Sequence, residues 1–187
     1  MSPPPLPVAR NPMIDSMAKV SLLVGVLWLL YALAQALLVT VLPDGAIAQM
    51  LLLIELRLPP LLQWCTDHLL ALSWLSAALA LAFCATSWSL LRRREWARVA
   101  FVVFLVLTAL ANFVSLPLLW EVFDALQAWL PHGAQYGADA SELHAELRSG
   151  RIAGMFSAVL TCLVFAALHG WIVYLLYRPA VRAEFRT

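Results

Sequence analysis

The chain has 187 residues, 63% of them hydrophobic and only 12% charged, with a formal net charge of +1 and a mean hydropathy of +0.85. Soluble domains carry about a quarter charged residues, so this composition excludes a water-soluble globular domain, and the balanced charge gives no basic surface for nucleic acid. Four runs, Val20 to Leu42, Leu69 to Leu91, Val99 to Trp120 and Ile152 to Tyr177, contain no Asp, Glu, Lys or Arg. As helices rising about 1.5 Å per residue, each is long enough to cross a hydrocarbon core of roughly 30 Å. The expectation is an all-α, polytopic membrane protein: a flexible cytoplasmic tail over 1–17, a four-helix transmembrane domain over 18–178 and a second cytoplasmic tail over 179–187.

In chain order, Met1 to Met17 holds Pro3, Pro4, Pro5 and Pro7, which favour an extended, mobile leader. The first run follows. Its Ala32-Leu33-Ala34 and Ala34-Gln35-Ala36 have the small-residue pattern of a signal-peptide cleavage site, but its apolar stretch continues through Val41, beyond the usual 7 to 15 residues, and favours a retained helix. The next segment, Ala46 to Leu58, is apolar but too short to span, and reads as an interfacial helix closed by Pro59-Pro60.

The second run is rich in small residues, with Ser76, Ala80 and Cys84 on one stripe and Ala78, Ala82 and Thr86 on another. Small stripes let helix backbones approach closely. Gly154 and Ala158 in the fourth run are the expected counter-surface. The third run carries Asn112 at mid-length and Pro117, where a kink is expected. Beyond it an amphipathic pattern continues to Leu130, and Pro131, Gly133 and Gly137 mark a loop. Asp139 and Glu142 form the expected capping pair of a short helix that Gly150 interrupts before the fourth run.

Sorted by segment, the charges separate. The amino end, the turn after the second run and the carboxyl tail hold nine Lys or Arg against Asp15, Glu95 and Glu184. The other two connections hold Arg57, Arg148 and Arg151 against eight Asp or Glu. Because basic loops stay cytoplasmic, both termini and the turn at Arg92 to Arg98 are expected inside. Aromatic residues divide in step: Trp88, Trp96, Trp171, Tyr174 and Tyr177 near inner ends, and Trp64, Trp120 and Trp129 near outer ends.

Little remains that could carry chemistry. The three cysteines, Cys65, Cys84 and Cys162, lie at different depths and make no disulfide framework. His68 and His169 differ by about 25 Å in depth, too far to share a haem iron. His132, Asp139, His144 and Glu146 lack metal-site spacing and read as a solvated acidic loop. No catalytic residue, metal or cofactor is expected. Gln35, Asn112 and His169 are the polar residues of the runs and are read as intrabundle contacts, His169 with a carbonyl or hydroxyl of a neighbouring helix. The turn Arg92-Arg93-Arg94-Glu95-Trp96-Ala97-Arg98 is the sharpest motif; its Arg92, Arg93, Arg94, Trp96 and Arg98 are candidate contacts for lipid headgroups or a partner.

That turn, with the tail Arg178-Pro179-Ala180-Val181-Arg182-Ala183-Glu184-Phe185, resembles a largely uncharacterised group of small bacterial four-helix inner-membrane proteins. The resemblance implies a bacterial inner membrane and no catalytic residue. The first functional expectation is a non-enzymatic scaffold, accessory or immunity-type protein meeting a protein partner through acidic outer loops. The alternative is binding or passage of lipid or a small apolar molecule within the bundle, and an intramembrane redox enzyme ranks last. A cavity lined by Gln35 or Asn112 favours the alternative; a closed bundle with an exposed outer apolar patch favours the scaffold.

Overall fold

A computed structural model describes residues 12–42, 58–133 and 139–185, with side chains omitted over 130–133 and 139–142. The described residues form six helices: α1 (Pro12–Val41), α2 (Pro60–Asp67), α3 (Leu69–Leu91), α4 (Glu95–Gly133), α5 (Asp139–Leu176) and α6 (Pro179–Ala183). Four of them, α1, α3, α4 and α5, are long and apolar enough to cross a membrane. Many large apolar side chains, among them Leu30, Val114, Phe156 and Val164, stand on the surface. In water such a surface would aggregate; in hydrocarbon it is the solvated face.

Several boundaries differ from the sequence pattern. Helix α1 starts at Pro12, inside the expected tail, because Pro presets the first helical φ and Ile14 and Ala18 bury themselves against the rest of the chain. Helix α4 is continuous across Pro117. Helix α5 is continuous across Gly150, so the expected interruption there is overturned. A glycine inside a helix costs only about 1 kcal/mol, and α5 is held against α4 immediately beyond it by Arg151. Pro60 opens α2, which breaks from α3 at His68. The leader 1–11, the segment Ala46 to residue 57 and Gly137 lie outside the described residues, as do the side chains of His132, Asp139 and Glu142.

Antiparallel pairs organise the molecule. Helices α1 and α3 form the most extensive pairing, α4 and α5 the next, and α3 joins the pairs through a narrower contact with α4. The α1–α3 seam is close because of Gly25: a Cβ there would lie 2.8 Å from Cys84 Sγ and 3.0 Å from Phe83 Cδ1. Trp28 Nε1 donates to Ser76 Oγ at 3.0 Å across the same seam. The small stripe of α3 therefore serves α1. The expected pairing with Gly154 does not form, since Gly154 faces α4, where a Cβ added to it would lie 3.2 Å from the Phe123 ring.

The core sits at one end. Ile14 and Ala18 of α1, Leu90 of α3, Ala97, Phe101 and Leu105 of α4, Leu176 of α5, and Val181 and Phe185 of the tail form a single buried cluster. It is extended by Phe83, whose ring stacks on Phe101 at 5.8 Å and meets Phe104 edge-on at 5.5 Å. The start of α1, the α3–α4 turn and the end of α5 meet there, which we call the terminal end. On α4 no described residue beyond Leu105 is buried.

Candidate functional site

The basic turn is built as a helix stop. Arg93 has φ 56°, the left-handed region usually taken by glycine. Its amide donates to the Leu90 carbonyl at 3.0 Å and the Arg94 amide to the Ser89 carbonyl at 3.2 Å, the paired bonds of a Schellman motif. That conformation sends the Arg93 side chain inward. One guanidinium nitrogen lies 2.8 Å from Asp15 Oδ1 and 3.3 Å from Glu184 Oε2, and the group rests over the Phe185 ring at 5.7 Å. The Arg93 and Glu184 side chains are only 10% and 8% exposed, so one cation ties the start of α1 and the carboxyl tail to the turn in a dry setting.

The candidate headgroup residues therefore divide. Arg93 and Arg98 are turned into the protein; Arg92, Arg94 and Trp96 are exposed. Arg98 lies over the Tyr177 ring at 5.3 Å and 3.7 Å from Glu95 Oε1, with its Nε and Nη1 lacking an acceptor. The face of an aromatic ring takes a cation without needing a lone pair. Arg92 covers Trp88 at 5.2 Å and Arg178 covers Tyr174 at 5.1 Å. A rim of cations seated on aromatic rings results, a side-chain pairing suited to a headgroup layer.

At the opposite end Arg151 clasps α5 to α4. Its Nη1 donates to Asp124 Oδ1 at 2.6 Å and to Gln127 Oε1 at 3.3 Å, and its guanidinium lies 3.5 Å from the Trp120 ring centre. With Gly154 on Phe123, this contact closes the α4–α5 seam at that end.

Between the terminal core and the Arg151 clasp, the seam opens. A cleft of about 570 Å³ is lined by Thr108, Asn112 and Ser115 of α4 and by Gly154, Ser157, Ala158, Thr161, Cys162, Phe165 and His169 of α5. The spacing explains its position. Phe101, Leu105, Thr108, Asn112 and Ser115 recur at four, three, four and three residues, one face of α4 that is apolar and buried up to Leu105 and polar and unburied after it. The face that packs the core thus continues into the cleft with its packing residues replaced by hydroxyls and an amide.

Within the cleft, part of the polar capacity is spent locally. Thr108 Oγ1 donates to its own helix at the Phe104 carbonyl, and Ser115 Oγ and Cys162 Sγ both donate to the Asn112 carbonyl, at 2.6 and 3.3 Å. His169 Nδ1 lies 2.6 Å from the Phe165 carbonyl, one turn back on α5. The expected bond to a neighbouring helix is therefore replaced by one within α5, because the i−4 carbonyl is always in reach of a helical side chain that folds back. The side chains of Asn112, Ser157 and Thr161 make no hydrogen bond to the described protein.

Of the predicted polar trio, Asn112 and His169 come together on this cleft and Gln35 does not; it sits half-buried on α1. Sequence reasoning passed over Thr161 and gave Ser157 and Cys162 no part in a binding site. Their signal was present as the i, i+4, i+5 spacing that sets all three beside Ala158 on one face of α5. No group of three or more His, Cys, Asp or Glu residues with metal-binding placement occurs among the described residues. Comparison of the chain with protein-family models, curated proteins and solved structures finds no match.

Proposed function

We propose that this chain is a non-enzymatic integral membrane protein that holds a membrane-soluble molecule in the α4–α5 cleft. The observation that carries the reading is the cleft's lining: unpartnered hydroxyl and amide groups facing a cavity of about 570 Å³ midway along two apolar helices. Small-molecule sites occupy roughly 300 to 1,000 Å³, with mostly apolar walls and a few placed polar groups. In hydrocarbon an unsatisfied polar group is costly, so such a surface calls for an occupant. The expected scaffold role draws on acidic connections in which Asp67, Glu121, Asp124 and Glu146 are described and build no site, whereas the cleft has a lining of stated chemistry.

The same proposal places the protein in a bacterial inner membrane with both ends in the cytoplasm. Two features support this orientation: the nine-to-three division of cations against anions, and the gathering of the start of α1, the Arg92 to Arg98 turn and the tail at one end. Membrane lipid is then the immediate partner of the exposed Arg92, Arg94 and Trp96.

The test is a cleft-filling variant. Wild type purified in mild detergent is expected to carry a bound small molecule that organic extraction releases and mass spectrometry detects, and Ala158→Trp is expected to lose it while keeping the fold. Equal recovery from both proteins would overturn the reading.

A further inference from the structure

We infer that the occupant is an uncharged glycerolipid of the diacylglycerol class, recognised by its hydroxyl and ester oxygens and not by a phosphate. The inference rests on the cleft reading above and adds the ligand's chemistry.

Charge sets the first limit. None of the ten cleft residues is Asp, Glu, Lys or Arg. The nearest cations are committed elsewhere, Arg151 to Asp124, Gln127 and Trp120 at one end and Arg98 to Tyr177 and Glu95 at the other. A phosphate or ammonium group in this seam, midway along two apolar helices, would stand at hydrocarbon depth without a counter-ion, a penalty of several kcal/mol. A neutral head incurs none of it.

Hydrogen-bond capacity sets the second. Asn112 offers two N–H donors and a carbonyl oxygen, and Ser157 and Thr161 each offer a hydroxyl, with no protein partner to occupy them. These groups match ester carbonyl oxygens, which only accept. His169 supplies the complementary demand. The Phe165 carbonyl can only accept, so that contact takes its proton from Nδ1, and in the tautomer protonated there Nε2 carries the lone pair. A lone pair requires a donor, which a simple ester or hydrocarbon lacks and a free hydroxyl provides.

Shape sets the third. From Gly154 to His169 the cleft follows α5 for roughly 22 Å, an elongated form suited to a chain-bearing molecule. Its polar groups are spread along α5 with Gly154, Ala158 and Phe165 between them, leaving apolar wall for acyl chain beside each oxygen.

The experiment equilibrates detergent-solubilised full-length protein with mixed micelles holding equal amounts of dioleoylglycerol and dioleoylphosphatidylglycerol, and reads bound lipid by native mass spectrometry. Wild type is expected to retain dioleoylglycerol about tenfold over phosphatidylglycerol, the ratio that 1.4 kcal/mol produces. Asn112→Leu is expected to lower dioleoylglycerol retention about threefold to tenfold, the range of one or two hydrogen bonds. Thr161→Val, nearly isosteric, is expected to lower it about threefold and carries the test if Asn112→Leu fails to fold. Phosphatidylglycerol retained as well as or better than dioleoylglycerol, and lost in Ala158→Trp, would overturn the ligand class while leaving the cleft reading intact. Retention of both lipids unchanged in Ala158→Trp would overturn both. A wild-type dimer that Ala158→Trp separates would give the cleft to a second copy and likewise overturn the inference.

Discussion

The terminal end and the α4–α5 cleft are built from the same helix faces and differ in what those faces carry. At the terminal end Phe101, Leu105 and Leu176 fill the interior, and an arginine held in a left-handed turn binds three chain segments together. A few turns further along the same faces stand Thr108, Asn112, Ser157 and Thr161, and the seam opens. Side-chain volume decides the first difference: Phe and Leu reach across a helix–helix gap, and Ser, Thr and Gly do not. Polarity decides the second, since hydroxyl and amide groups without partners are costly in hydrocarbon. One end is packed and tied by charge, and the other is the open seam to which the proposed binding role is assigned.

Five substitutions break or sharpen this contrast. Arg93→Ala removes the cation between Asp15 and Glu184 and breaks a buried ion pair; a loss of about 3 kcal/mol is expected, read as a lowered unfolding temperature in detergent. Arg93→Gly removes the same charge but relieves the left-handed backbone, so it should be milder than Arg93→Ala by about 1 kcal/mol. Gly25→Leu pushes into Cys84 and Phe83 and should destabilise by about 2 kcal/mol through overpacking of the α1–α3 seam. Arg151→Gln weakens the clasp at the far end, with Asp124 half-exposed, and should cost only about 1 kcal/mol. Asn112→Leu should shift stability by no more than about 0.6 kcal/mol while releasing the bound molecule. A reversed order, with Asn112→Leu more disruptive than Arg93→Ala, would show that the cleft and not the terminal end holds the protein together.

Much of this was legible without coordinates. The four charge-free runs predicted the four long apolar helices, and the cationic segments are those that meet at the terminal end. Single residues were less transparent. A basic turn reads as a row of equivalent headgroup contacts, yet the φ of Arg93 turns that side chain inward while Arg92 and Arg94 stay outside. The Gly154 pair looked suited to α3 because small residues suit any close neighbour, and only the packing order assigns Gly154 to Phe123 on α4. Gly150 reads as a stop, but Arg151 and Gly154 hold the helix against α4 immediately beyond it.

The sequence by itself determined the four long apolar helices and the segregation of charge, because hydrophobic run length and charge content act locally on each segment. Tertiary structure alone decided which helix pairs with which, which arginine becomes the buried tie and where the shared face stops packing. Those outcomes depend on the fit of side chains from segments far apart in the chain: Gly25 against Cys84, Arg93 between Asp15 and Glu184, and Asn112 across from Cys162. A linear pattern carries the periodicity of such faces, but the volume left between two of them exists only once they are brought together.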